Sequence, residues 1–495
     1  MSTESATPRR DRLRAGAISA LGAATIAMAF MGPATSVFFN TAPGAAKMGY
    51  GLPLGTLLAL IVCLALASTI AAFSRSMPTA GLAYTFNTRA FGRGAGFVSG
   101  WVLGFAYLMV GPMLVAAMGS FGTEFLDQHL HVHGVPWWVV SAVIVAIIFL
   151  IGRSGVQRSV QTALIFLLLE VTVMLALFGT VLGNGGKEGL SLAPFAPGNS
   201  LEGVSGLGYG MLWGILMFVG FESAGTLGEE TRDPRRGVPR ALFLAVGFIG
   251  VFYVLSTYSA AIGFGKSGTH AFANDSGPWN TLADQYWGTK VAWVVALTVL
   301  NSQFANLLSG SNAAVRMLYA MGRERMLPHR LGHTNAVGSP VTAWTAYLAV
   351  TVAITFGLGA AMGPLGVYAF MGTILGLGII LIYIAMSVAL VRYAWTHERA
   401  RFSPFRHAVV PILSSVLLLL PIYGLLWPRP DWPYNLVPYI VAAWIIGGFV
   451  FFRWLATRAP ERLQGMGRVW VEDDSGAPPP PPPEEPVPAG APAYR

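Results

Sequence analysis

The chain has 495 residues, of which 54% are hydrophobic and only 11% charged, with a net charge of +9 and one cysteine, Cys63. A soluble domain carries roughly twice that charged fraction, so this composition argues against a series of soluble domains, and a lone cysteine excludes an internal disulfide. The basic residues stand beside apolar stretches, which points to orientation in a membrane and away from a nucleic-acid partner.

Twelve stretches approach the roughly 20 apolar residues needed to cross the hydrocarbon core. They lie near 16–39, 52–73, 95–120, 136–152, 158–182, 204–226, 238–263, 287–313, 340–361, 365–391, 406–427 and 434–454. Arg9, Arg10, Arg12 and Arg14 precede the first, which is too long for the apolar core of a signal peptide and reads as a transmembrane helix. A short interfacial helix is expected over Tyr84 to Arg93, and a long polar outer loop over Gly265 to Lys290. The membrane domain is predicted to span 16–456, between a cytoplasmic segment (1–15) and a cytoplasmic tail (457–495). Six prolines from Pro478 to Pro483 follow an acidic stretch in that tail, which is expected to be disordered.

Loop charge tests this threading. With alternate loops assigned to the cytoplasm, 26 of the Lys and Arg residues fall inside and 5 outside. That asymmetry is what the positive-inside rule requires, with both termini in the cytoplasm.

Polar features inside the spans carry the functional reading. Glu170 lies eleven uncharged residues after Arg158 and sixteen before Lys187, and Glu222 follows nineteen uncharged residues, Gly203 to Phe221. Carboxylates at such depth face the bundle interior and serve function or pair with polar groups. Span one carries Met31-Gly32-Pro33-Ala34-Thr35-Ser36 near its middle, and span six carries Phe218-Val219-Gly220-Phe221-Glu222. Proline removes a backbone donor and glycine lets a helix unwind. Interrupted helices at corresponding places in two halves mark a transporter site, where half-helix N-termini attract carboxylates and freed carbonyls hold an ammonium.

Three motifs resemble the amino acid–polyamine–organocation superfamily, the amino acid permeases. Pro78-Thr79-Ala80-Gly81-Leu82-Ala83-Tyr84 is similar to the family's loop after span two. Phe218 to Ser223, continuing through Gly228-Glu229-Glu230-Thr231-Arg232-Asp233-Pro234, is similar to its span-six signature. Ser311 to Pro328 resembles its usual end of span eight. The resemblance implies an all-α integral membrane fold of about twelve helices. Two inverted five-helix repeats (a LeuT-like fold) are followed by two accessory helices, with helices 1 and 6 discontinuous. It further implies substrate contacts at Met31, Gly32, Pro33, Ala34, Thr35 and Ser36 in span one, and at Phe218, Val219, Gly220 and Phe221 in span six. Tyr107 is a weaker candidate, since a packed aromatic explains it as well. Glu222 matches a family glutamate tied to proton sensing or gating. Glu170 falls where some proton-driven relatives have lysine, and is expected to couple transport to protons, with sodium as the rival ion. Span one departs from the family's Gly-Ser-Gly pattern, which leaves the carboxylate's donors open.

The reading is therefore a non-enzymatic secondary transporter of the cell membrane that imports amino acids by alternating access. A polyamine or organic-amine transporter or exchanger is the alternative, with a sensor or channel on the same scaffold behind it. No cofactor and no metal are expected: His129, His131 and His133 alternate in a loop without a cysteine or carboxylate cluster to complete a site. No Gly-x-x-x-x-Gly-Lys-Ser/Thr element points to an ATP-driven pump.

Overall fold

In lipid a backbone can satisfy its own hydrogen bonds only as a helix or a closed barrel, and the apolar stretches here take the first course. The computed structural model describes residues 18–79, 81–154, 160–228, 230–323, 326–335 and 338–463. The N-terminal arginines, Arg158, Glu229 and the proline-rich tail lie outside the described residues. Within them every regular element is helical, apart from one isolated bridge between Ile18 and Thr231. Ten helical stretches are long and apolar enough to cross a membrane. Two of these, Ala20–Ser76 and Val341–His397, have 57 residues each, about 85 Å at 1.5 Å per residue. Each is interrupted, at Gly49–Gly51 in the first and at Gly363-Pro364 in the second, where Gly363 takes a φ of 73°.

The first stretch comprises α1 (Ala20–Met31), α2 (Pro33–Met48) and α3 (Leu52–Ser76). Helix α4 (Leu82–Phe91) is the short element after them, starting two residues earlier than expected. Then come α5 (Arg93–Leu130), α6 (Trp137–Ser154), α7 (Val160–Gly183), α8 (Gly203–Phe218), α9 (Ser223–Thr226) and α10 (Pro234–Phe264). The segment expected to be a polar loop instead folds into α11 (Thr269–Asn274) and α12 (Pro278–Trp287). Pro278 starts α12, and Trp279, Leu282 and Ala283 repeat at helical spacing on its buried face. The Trp279 indole N–H donates to the Val37 carbonyl at 3.0 Å, seating this segment on α2. Helices α13 (Thr289–Arg323), α14 (Val341–His397), α15 (Val410–Leu417), α16 (Leu419–Leu426) and α17 (Val437–Arg458) complete the chain. Helix α17 and the turn Pro460–Leu463 run past the expected start of the tail: Leu455, Ala459 and Leu463 pack with Phe97, Met321 and Met326.

Helices α5 and α8 are the most enclosed, whereas α6 and α17 present apolar side chains outward. That inversion of a soluble fold is the mark of a multi-pass membrane protein. Two ties close the face that carries Ile18. Its N–H donates to Glu230 O at 3.0 Å and its carbonyl accepts from Arg232 N at 2.8 Å. Glu230 in turn meets Arg316 of α13 at 3.2 Å.

On the opposite face Glu188, past the end of α7, holds the start of the 265–290 segment. Its Oε1 accepts from the Ser267 N–H at 3.2 Å and the Ser267 hydroxyl at 3.3 Å. Hydrogen bonds from the Ser267 and Lys266 amides lower its carboxyl pKa from the ordinary glutamate value. A lowered folded-state pKa means the tether is complete above the ordinary value and is lost as pH falls through the folded one. Backbone amides at 265–268 are therefore expected to exchange faster in acid, after correction for intrinsic rates. Glu188→Gln should show that fast exchange already at about pH 6, read by hydrogen–deuterium exchange mass spectrometry; equal protection in the variant would contradict the tether.

Candidate substrate and coupling site

The break in the first span is a single residue. Gly32 closes α1 and opens α2 with φ 53° and ψ 70°, a left-handed conformation that glycine adopts without steric cost. It is also pressed against α13: a Cβ at this position would lie 2.4 Å from Asn306 Nδ2. The second break runs from Val219 to Glu222, between α8 and α9. Gly220 has a φ of 114°, and a Cβ there would come within 3.0 Å of Phe30. The two breaks thus meet, Gly220 lying against the residue two positions before Gly32.

The polar groups freed by these breaks are largely engaged. Met31 O accepts from the Ser36 hydroxyl at 2.6 Å and the Tyr253 hydroxyl at 3.2 Å. The Thr35 N–H donates to Ser302 Oγ of α13 at 3.1 Å. Glu170, on α7 and only 2% exposed, turns its carboxyl toward that Ser302 hydroxyl and the Ala34 N–H. Its Oε2 has no hydrogen-bond partner. The first-turn amides of α2, which the family resemblance gives to a substrate carboxylate, therefore face an internal carboxyl and a serine.

Glu222 is held differently. Fully buried, it accepts from the Tyr107 hydroxyl at 2.7 Å on one oxygen. Its other oxygen accepts from the Tyr383 hydroxyl at 2.9 Å and the Gly220 N–H at 3.0 Å. Three elements, α5, α14 and the broken span, are pinned at one carboxylate.

A small cavity of about 20 Å³ opens beside the breaks. Met31, Thr35 and Ser36 line it from the first span and Val219 from the second, joined by Asn40, Asn306 and Tyr368. Apolar side chains of α5, α8 and α14, among them Met113 and Leu216, form its wall. No charged residue lines it. Tyr368 donates to Asn40 Oδ1 at 2.8 Å, fixing one polar corner, while Thr35 Oγ1 is buried without a partner. Of the other residues implicated by sequence, Gly32, Pro33, Ala34, Phe218, Gly220 and Phe221 form the breaks and their packing, outside the lining. The Phe218 ring rests on Tyr253 and the Phe221 ring on Tyr383. Tyr107 sits against Phe30 with the ring centroids 5.7 Å apart, edge to face, and serves Glu222. Sequence reasoning missed Asn40, Asn306 and Tyr368; Asn306 and Tyr368 are polar residues in predicted apolar spans and Asn40 directly follows one, and that signal could have found them. His133, in the loop with the alternating histidines, pairs with Asp127 at 2.5 Å.

A family model described as amino acid permease matches residues 18–451. The chain belongs to that family. It is 28% identical to the branched-chain amino acid permease BcaP of Lactococcus lactis subsp. cremoris, over 80% of this chain and 85% of the relative. It is 27% identical to the low-affinity putrescine importer PlaP of Escherichia coli K12, over 56% of this chain and 60% of that protein. It is also 25% identical to the aromatic amino acid transport protein AroP of E. coli O6:H1, over 62% and 67%. The members compared are transporters of small amino acid or polyamine substrates across a membrane.

Proposed function

We propose that this permease imports neutral amino acids with apolar side chains, driven by protons, by alternating access around the cavity between its two broken helices. The carrying observation is the cavity itself: an apolar wall, a few neutral polar groups and no charged side chain. A zwitterion brings one charge of each sign and needs only dipoles to hold them. A diamine brings two positive charges, which a pocket without carboxylates leaves uncompensated at heavy cost. Neither Glu170 nor Glu222 lines the cavity, and Glu222 already accepts three hydrogen bonds. That favours the amino acid reading over the polyamine one.

In this reading the unpartnered Thr35 hydroxyl and the Asn306 amide take the substrate carboxylate, aided by the positive end of α2. The ammonium meets carbonyls at the end of α8, around Phe218 to Phe221. The side chain packs against Met113 and Leu216 as the cavity widens around the substrate. Glu170 carries the proton: a carboxylate engages the Ala34 amide and the Ser302 hydroxyl, and protonation releases α2 to pivot at Gly32. Glu222 positions the broken span against α5 and α14. Twelve crossings arranged as two inverted repeats, with both termini in the cytoplasm of a plasma membrane, fit the charge asymmetry.

Purified protein in liposomes is expected to accumulate labelled leucine against its gradient. Accumulation should collapse with a protonophore, persist when sodium is replaced, and resist excess putrescine. Competition by putrescine would move the assignment to amines, dependence on sodium would replace the proton, and absence of any uptake would overturn the importer.

A further inference from the structure

Around the ends of α3, α4 and α14 and the turn leading into α15, arginines gather without acidic partners. Arg75, Arg392, Arg399, Arg401 and Arg406 are exposed and Arg89 is half-buried. None of the six forms an ion pair among the described residues. Their neighbourhood is mutual. Arg75 and Arg406 lie within electrostatic range of the His407 ring, and Arg89 lies within range of Tyr393. Glu398 is the one acidic residue within range of either ring. Two arginines elsewhere on the same face do have partners: Arg316 meets Glu230 at 3.2 Å, and Arg236 stands 3.8 Å from Asp233.

Depth is set by the aromatic side chains among these arginines. Phe91, Trp395 and Phe405 are 41%, 54% and 66% exposed, although large rings turned outward at a span end belong to the zone of lipid head groups. Arg392 lies over the Phe91 ring at 5.4 Å and Arg399 over the Trp395 ring at 5.2 Å, so their guanidinium groups stand at the same level. A guanidinium fork matches phosphate oxygens geometrically.

We propose that this surface binds the phosphate head group of an anionic phospholipid, with Arg75, Arg392 and Arg406 as its principal donors. The acyl chains would run beside the exposed faces of α15 and α17. The proposal rests on the chain lying in a bilayer and not on which solute it carries.

The test uses the full chain, purified in mild detergent, and native mass spectrometry after titration with phosphatidylglycerol or phosphatidylcholine. Phosphatidylglycerol should be retained preferentially, and the combined variant Arg75→Gln/Arg392→Gln/Arg406→Gln should retain about tenfold less, since several basic residues act together. The corresponding Arg→Lys set should keep most of the binding, and Lys187→Gln/Lys266→Gln/Lys290→Gln at the opposite face should keep all of it. Should the triple glutamine variant fail to fold, the single replacements carry the test, each lowering retention. Equal retention of the two lipids, or unchanged retention in the variants, would overturn the proposal. So would selectivity that appears only after Glu472→Gln/Asp473→Asn/Asp474→Asn, which would assign the surface to the chain's own acidic stretch.

Discussion

Glu222→Ala is expected to destabilise the protein more than any other single replacement in the bundle. It would leave the Tyr107 and Tyr383 hydroxyls and the Gly220 N–H buried with no acceptor. Each unsatisfied buried group costs about 1–3 kcal/mol. Three together approach the whole net stability of a typical domain, about 5–15 kcal/mol. The loss also reaches beyond the local contacts, because this carboxylate is where α5, α14 and the broken span meet. Glu222→Gln keeps one acceptor oxygen, and a tyrosine hydroxyl can turn to accept from its new amide, so an intermediate loss is expected. Thermal unfolding in detergent should rank the native chain above Gln and Gln above Ala. An alanine variant as stable as the native protein would show that the three donors find other partners.

Glu170→Gln should have the opposite profile, with little change in stability and a large change in coupling. Glutamine fits the same space between the Ala34 amide and the Ser302 hydroxyl, but cannot gain or lose a proton. Exchange of labelled leucine across a liposome membrane is expected to continue. Accumulation driven by a pH gradient should fall by about tenfold or more, within the usual span of coupling energies. The two readouts separate a coupling role from a structural one: loss of both would mean that Glu170 only supports α2. Unchanged gradient-driven uptake would remove it from the proton path.

Those two residues were visible in the sequence because a carboxylate inside an apolar run is costly and conspicuous. The breaks were visible for a similar reason, since Gly32-Pro33 and Gly220 interrupt otherwise regular helical text. Apolar cavity walls carry no such mark. In a soluble helix the apolar stripe points to the core, but a membrane helix is apolar toward lipid as well, so nothing in the sequence distinguishes inward Met113 and Leu114 from outward Leu168 and Leu169. The segment after α10 misled for a different reason. Its polar residues, Thr269, Asn274 and Asp275 among them, outnumber the apolar ones, yet Phe272, Trp279 and Leu282 are buried and the Trp279 indole bonds to α2. A few large apolar side chains at the right spacing outweighed the average.

The contact between Gly32 and Asn306 has a consequence for altering the cargo. Asn306 belongs at once to the cavity lining and to the seat of the hinge, so any residue of different size there changes both selectivity and motion. Met113 and Leu216 line the cavity from α5 and α8, outside the break at Gly32. Variation between natural members and successful engineering should therefore concentrate on those walls, with position 306 changing only together with position 32.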